Sequence, residues 1–186
     1  DGGRASYRNR WVRTAAWQAE DDAGRALWSA GFRADSDEMI KNAANTAVLE
    51  VAGRAYALIE GGVPYEFDPR TLETVGPTTF DGRLRGTFTA HPKRDPNGEL
   101  VYFGWHPFRT RIDHGVIDAQ GNIVHTTSFD LPVTTMMHDF AITEHYSLFF
   151  DHPLKYRLEK ISEGGIPISW EPEAGTRIGV LERRAE

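Results

Sequence analysis

The sequence predicts an antiparallel all-β protein with a short helix near its N-terminal end. Three observations carry that expectation. Short apolar runs rich in strand-forming residues recur along the chain. Turn signals built from aspartate, asparagine and glycine separate them. One stretch alone, alanine-rich and early, has the composition of a helix. Sandwich, barrel and propeller all fit that rhythm, and no recurring blade motif chooses among them.

Taken in order, Ser6 to Thr14 places tyrosine, tryptophan and valine between arginines and asparagine, which predicts a strand with one polar face. Trp17 to Ala30 is the helix candidate, with Trp17, Leu27 and Trp28 able to face inward. Ala34 to Asn45 is polar and reads as a loop, carrying an acidic group (Asp35, Asp37, Glu38) without calcium-loop spacing. Asn45 to Glu50 and Arg54 to Glu60 predict two strands turned at Ala52-Gly53. Tyr65 to Asp68 leads to a turn at Pro69-Arg70 and a return through Thr74-Val75. Asp95-Pro96-Asn97-Gly98 is a strong turn before the run Glu99 to Gly104, and Asp118 to Gly121 is another, between Gly115-Val116-Ile117 and Asn122 to His125. Thr176 to Arg183 reads as a strand. A strand pattern so near the last residue, and an opening Asp1-Gly2-Gly3 turn, lead us to expect an internal segment of a longer protein.

Composition narrows the function classes. At 186 residues and 40% hydrophobic content, the chain can bury a sizeable core. A net charge of −6 offers no basic surplus for nucleic acid. The absence of cysteine removes disulfides, thiolate metal sites and a cysteine nucleophile. No apolar stretch approaches the ~20 residues of a membrane span, and no signal-peptide pattern opens the chain, so a cytoplasmic protein is expected. No nucleophile elbow, phosphate-binding glycine loop or zinc-protease helix motif occurs.

Two of the seven histidines sit in apolar stretches of their own. His91 lies in Thr87-Phe88-Thr89-Ala90-His91-Pro92-Lys93, where Pro92 favours an extended backbone and a strand end. His138 opens a run in which it shares one strand face with Phe140 and Ile142, which predicts a largely dry imidazole. Such an imidazole needs a metal, a carboxylate or a carbonyl, and the pattern leaves these open. Glu60 closes the apolar run Tyr56 to Ile59 before Gly61-Gly62. It reads either as a solvated strand-end carboxylate or as the partner of a buried donor, such as the second nitrogen of a metal-bound histidine. His106 and His114 fall in a loop-like stretch. With His125, His145 and His152 they read as surface or local structural residues.

The wording around these residues resembles the carotenoid cleavage oxygenase family, which includes the lignostilbene dioxygenases. Tyr7 to Thr14, Asn45-Thr46-Ala47, Glu60-Gly61-Gly62, Pro64-Tyr65, Phe67-Asp68-Pro69 and Thr71 to Thr74 follow in the family's order. Phe88 to Lys93 and Met137 to Thr143 come next, so the resemblance runs to about Leu154. It implies that residues 1–186 form one segment, truncated at both ends, of a seven-bladed β-propeller domain. It implies iron(II) on the propeller axis held by four histidines, with His91 and His138 the first two and the others beyond residue 186. Glu60 matches a glutamate that orients a ligand histidine. The implied activity is oxidative cleavage of a conjugated carbon–carbon double bond by dioxygen to two carbonyl products. No catalytic residue beyond the iron site and no organic cofactor are implied. Stilbene-cleaving members carry a lysine just before that glutamate. Ile59 stands there instead, which tilts the expectation towards a carotenoid or apocarotenoid, with a stilbene or a non-catalytic apolar-ligand propeller as alternatives. Family members often dock on membranes, so peripheral contact is expected of the full-length protein. With two ligands of four, the segment alone is expected to be inactive and prone to aggregate.

Overall fold

A computed structural model describes residues 2–29, 31–33, 40–157, 159–162 and 165–184. Helix α1 (Ala15–Ala23) comes first and is shorter than the expected Trp17–Ala30. Thr14 starts it: its Oγ1 accepts the N–H of Trp17 at 3.1 Å, satisfying a donor the first turn leaves free. Gly24, at φ 61°, ends it in the left-handed conformation. Leu27 and Trp28 therefore lie past the helix. Ala30 lies outside the described residues, as do Asp35, Asp37, Glu38 and the first part of the loop expected over Ala34–Asn45. The strand expected over Ser6–Thr14 does not form. Tyr7 and Trp11 stand in solvent there, and Arg13 donates its backbone N–H to the Thr74 hydroxyl at 2.9 Å.

Beyond the helix the described chain is largely β-sheet. Strands β1 (Ala47–Val51), β2 (Arg54–Leu58), β3 (Tyr65–Phe67) and β4 (Thr74–Pro77) pair in sequence order as an antiparallel sheet. Strands β5 (Lys93–Arg94), β6 (Leu100–His106), β7 (Arg109–Ile117) and β8 (Ile123–Asp130) form a second sheet of the same plan. Strands β9 (Phe140–Ile142) and β10 (Tyr146–Asp151) begin a third. An excursion follows through β11 (Leu154–Tyr156), the single turn α2 (Glu159–Ser162) and β12 (Ile168–Trp170). Strand β13 (Arg177–Glu182) then completes the order β13-β10-β9.

The turns close where side chains supply acceptors. Asp95 Oδ1 takes the backbone N–H groups of Asn97 and Glu99, and Asp118 Oδ1 takes those of Gln120 and Asn122. The loop-like stretch around His106 and His114 is a hairpin instead: His106 ends β6, and His114 lies inside β7 with its side chain fully buried.

Strand β6 separates two cores. Leu100 and Tyr102 point towards Tyr56, Leu58, Phe80 and Phe88, while Val101, Phe103 and Trp105 point towards Ile112, Met137, Phe140 and Phe149. Burial on both faces explains its unbroken apolar run, where a half-exposed strand would alternate. Gly104 lets β6 approach the segment before His91, because a Cβ there would sit 2.0 Å from the carbonyl oxygen of Thr87. Gly104→Ala is therefore expected to cost about 1–3 kcal/mol or more, read as a lower thermal midpoint. An unchanged midpoint would contradict the close approach.

Candidate metal centre

Three side chains from separate segments converge. Glu60 lies two residues past β2, at the start of the Gly61-Gly62 turn. His91 lies between the Gly62–Phe88 bridge and β5, and His138 lies in the irregular segment leading to β9. One ligand atom from each falls within 4.8 Å of the others. The Nε2 atoms of His91 and His138 are 3.1 Å apart, with the rings edge to face. Glu60 Oε1 is 3.5 Å from His91 Nε2 and 3.5 Å from His138 Nδ1.

Each residue is placed by its surroundings. Phe88 and Ala90 are buried in the first core, which leaves His91 at its rim. The Thr89 hydroxyl accepts the His91 N–H at 3.0 Å. Met137 is buried in the second core, which leaves His138 at that core's rim. The irregular segment before it is sewn to β11: Met136 N–H donates to the Leu154 carbonyl, and Tyr156 N–H to that of Thr134. Lys93 and Asp139, each beside one histidine, pair at 2.7 Å and tie the two segments together.

The dry setting expected for His138 is not found. Its side chain is 58% exposed, against 32% for His91 and 14% for Glu60. The reason is local. The strand begins at Phe140, so the alternation that would turn His138 inward does not reach it, and Met137 takes the buried position.

Electrostatics follow burial. Desolvation raises the Glu60 carboxyl to about 7, against the N–H groups of Trp105 and the Ala90 backbone, with the negative charge of Asp139 adding to the rise. Burial and the neighbouring His138 lower His91, which favours its neutral imidazole. Glu60 Oε1 is buried and makes no hydrogen bond. Two imidazole nitrogens held at about 2.1 Å from one ion and at a right angle lie about 3 Å apart, close to the separation here. Imidazoles with a carboxylate behind them suit a first-row transition metal. The residues present therefore fit one.

Sequence reasoning did not single out Trp105, whose indole N–H donates to Glu60 Oε2 at 3.3 Å, or the Lys93–Asp139 pair. The inward alternation of Val101, Phe103 and Trp105 was the available signal for the first. His125, His145 and His152 stand apart from this cluster, as do His106 and His114.

Comparison with known proteins agrees with that geometry. The family model described as retinal pigment epithelial membrane protein matches residues 1–186. The chain belongs to this family, the carotenoid oxygenase superfamily that includes the lignostilbene dioxygenases. It is 37% identical over 194 residues to isoeugenol monooxygenase of Pseudomonas nitroreducens, covering 99% of this chain and 41% of that protein. Among solved structures it is similar to the lignostilbene dioxygenase of Pseudomonas brassicacearum, with a TM-score of 0.86 and 33% identity over 95% of this chain and 39% of that one. A variant of the Synechocystis apocarotenoid oxygenase gives 0.81 and 27%, over 94% and 41%. The chain thus spans about two fifths of the length of these relatives.

Proposed function

We propose that His91 and His138 are two ligands of a non-haem iron(II) and that Glu60 orients His138 through its Nδ1–H. The observation that carries this is the Glu60 carboxylate, buried, with Oε1 free of hydrogen bonds and 3.5 Å from both imidazoles. Desolvating such a group without a donor costs about 1–3 kcal/mol, a cost that a cation held by the two imidazoles would offset. Iron would supply the activation of dioxygen for an oxidative cleavage in which each carbon of a conjugated double bond gains one oxygen. The chain's own residues favour a neutral His91 imidazole, set the separation of the two histidines through the Lys93–Asp139 tie, and fix the Nδ1–H of His138.

Residues 1–186 are in this reading one segment of a seven-bladed propeller, its two four-stranded meanders being successive blades. The other two ligands come from beyond residue 186, and the segment alone does not turn over substrate. Ile59, where stilbene-cleaving members carry lysine, supports a carotenoid or apocarotenoid substrate. The identity to an isoeugenol monooxygenase and the structural likeness to a lignostilbene dioxygenase support the second reading, an aryl alkene. No helix among the described residues is long and apolar enough to cross a membrane, which accords with a cytoplasmic or peripheral location.

The test is iron content and oxygen uptake of the full-length protein, beside His138→Ala, with an apocarotenoid and a hydroxystilbene as parallel substrates. The unsubstituted protein should hold iron and split one compound into two carbonyls, and the variant should lose both properties. Equal metal in both proteins with neither compound cleaved would leave a propeller that binds without cutting.

A further inference from the structure

Trp105 is 6% exposed, and an indole taken out of water needs an acceptor for its N–H. It occupies the next-to-last position of β6, on the face it shares with Val101 and Phe103. Packing alone asks only for a large apolar ring at this place, which phenylalanine would supply without a donor to satisfy. The indole Nε1 donates to Glu60 Oε2 instead, at 3.3 Å. The ring is braced for that contact. The Trp105 backbone carbonyl accepts the Thr87 hydroxyl at 2.6 Å, and the indole packs tilted against Tyr156 with centroids 5.5 Å apart. Gly61, at φ 69°, flanks the ring at ordinary contact distance: an added Cβ would lie 3.9 Å from the indole carbons.

A carboxylate is planar, so holding one oxygen limits where the other can point. Glu60 Oε2 is held by Trp105, and Oε1 is the oxygen that faces both imidazoles. We propose that Trp105 is a positioning residue of the metal centre, acting through Glu60: its indole N–H anchors Oε2 so that Oε1 is aimed at His91 and His138. This rests on the reading of the cluster as a metal site. Outer partners of this kind set ligand orientation, and losing one weakens metal binding about 10- to 100-fold. Trp105 stands one bond further out than Glu60, so the low end of that range applies.

The experiment measures iron(II) affinity without oxygen, and the ligand-field spectrum of cobalt(II), in the full-length protein. Four proteins are compared: unsubstituted, Trp105→Phe, Glu60→Ala and the double variant. Trp105→Phe should weaken iron about tenfold and shift the cobalt bands. In the Glu60→Ala background it should add nothing, because its effect passes through Glu60. An equal loss in both backgrounds would make Trp105 a packing residue and overturn the proposal. Metal bound as tightly by Trp105→Phe as by the unsubstituted protein would overturn it too, with the metal site intact. No metal in any of the four would remove the metal reading itself. If Trp105→Phe does not fold, benzothienylalanine at position 105 keeps the ring shape and deletes only the N–H, with the same two outcomes.

Discussion

Asp151→Asn should cost about 3–5 kcal/mol of stability and loosen the segment that carries His138. Asp151 and Lys155 have side chains 5% exposed and pair at 2.6 Å, with Lys155 also donating to the Thr135 hydroxyl at 2.8 Å and Arg177 reaching the second Asp151 oxygen. The Thr135 hydroxyl and Asp151 are themselves 2.8 Å apart. Burial alone would raise the Asp151 carboxyl, but the hydrogen bonds from Lys155, Thr135 and Arg177 outweigh it and hold it below its ordinary range. The asparagine keeps the shape and removes the charge, leaving the Lys155 ammonium buried against neutral acceptors. That is the expensive way to break a buried pair. Thr135 also bridges to Lys155 through the backbone, so the damage reaches a residue three positions before His138. Urea denaturation would give the stability loss, and iron affinity the displacement of the histidine. A loss under 1 kcal/mol would mean that water already reaches the pair.

Acid should weaken the protein through His114. Its side chain is fully buried, Nε2 lies 3.0 Å from the Ser147 hydroxyl, and Nδ1 has no hydrogen-bond partner. Phe149 lies edge-on to it, and His125 and Arg183 are the charge-bearing neighbours. Burial, helped by those two, pushes the imidazole down to about 4, against an ordinary 6.5. Between these values the unfolded chain binds the proton and the native one does not. The stabilisation is therefore complete above pH 6.5 and drains away as pH falls through 4. At about 1.4 kcal/mol per pH unit the loss reaches roughly 3 kcal/mol. His114→Gln, which can still meet Ser147, should flatten that slope in urea titrations between pH 4 and 7. A slope equal to that of the unsubstituted protein would place the proton uptake elsewhere.

What the sequence revealed was local chemistry. The β1–β2 hairpin and the turns at Asp95 and Asp118 follow from glycine and side-chain acceptors within a few residues. Resemblance, rather than spacing, singled out Glu60, His91 and His138 as a set. The misreadings share a cause. Ser6–Thr14 has a strand's composition, but among the described residues no strand pairs with it. The exposure of His138 depends on where β9 begins, and that is set by Met137 and Phe140 packing on β6. Trp105 meets Glu60 across 45 positions, and Asp151 meets Arg177 across 26, distances at which composition says nothing about contact. The stretch around His106 and His114, where β6 turns into β7, reads as a loop because its histidines, arginines and proline are polar or turn-prone, although β7 pairs with both neighbours.

Strand β6 gives the two histidines separate landlords. His91 follows Ala90, a buried residue of one core, and His138 follows Met137, a buried residue of the other. The gap between their nitrogens therefore gauges how two independently packed layers sit against a shared wall. Drift in either core alone is recorded there as a change in bite. Sequence change in this family would then be constrained in pairs: a larger side chain on one face of β6 is tolerated only if the opposite face lets the wall move without opening the histidines.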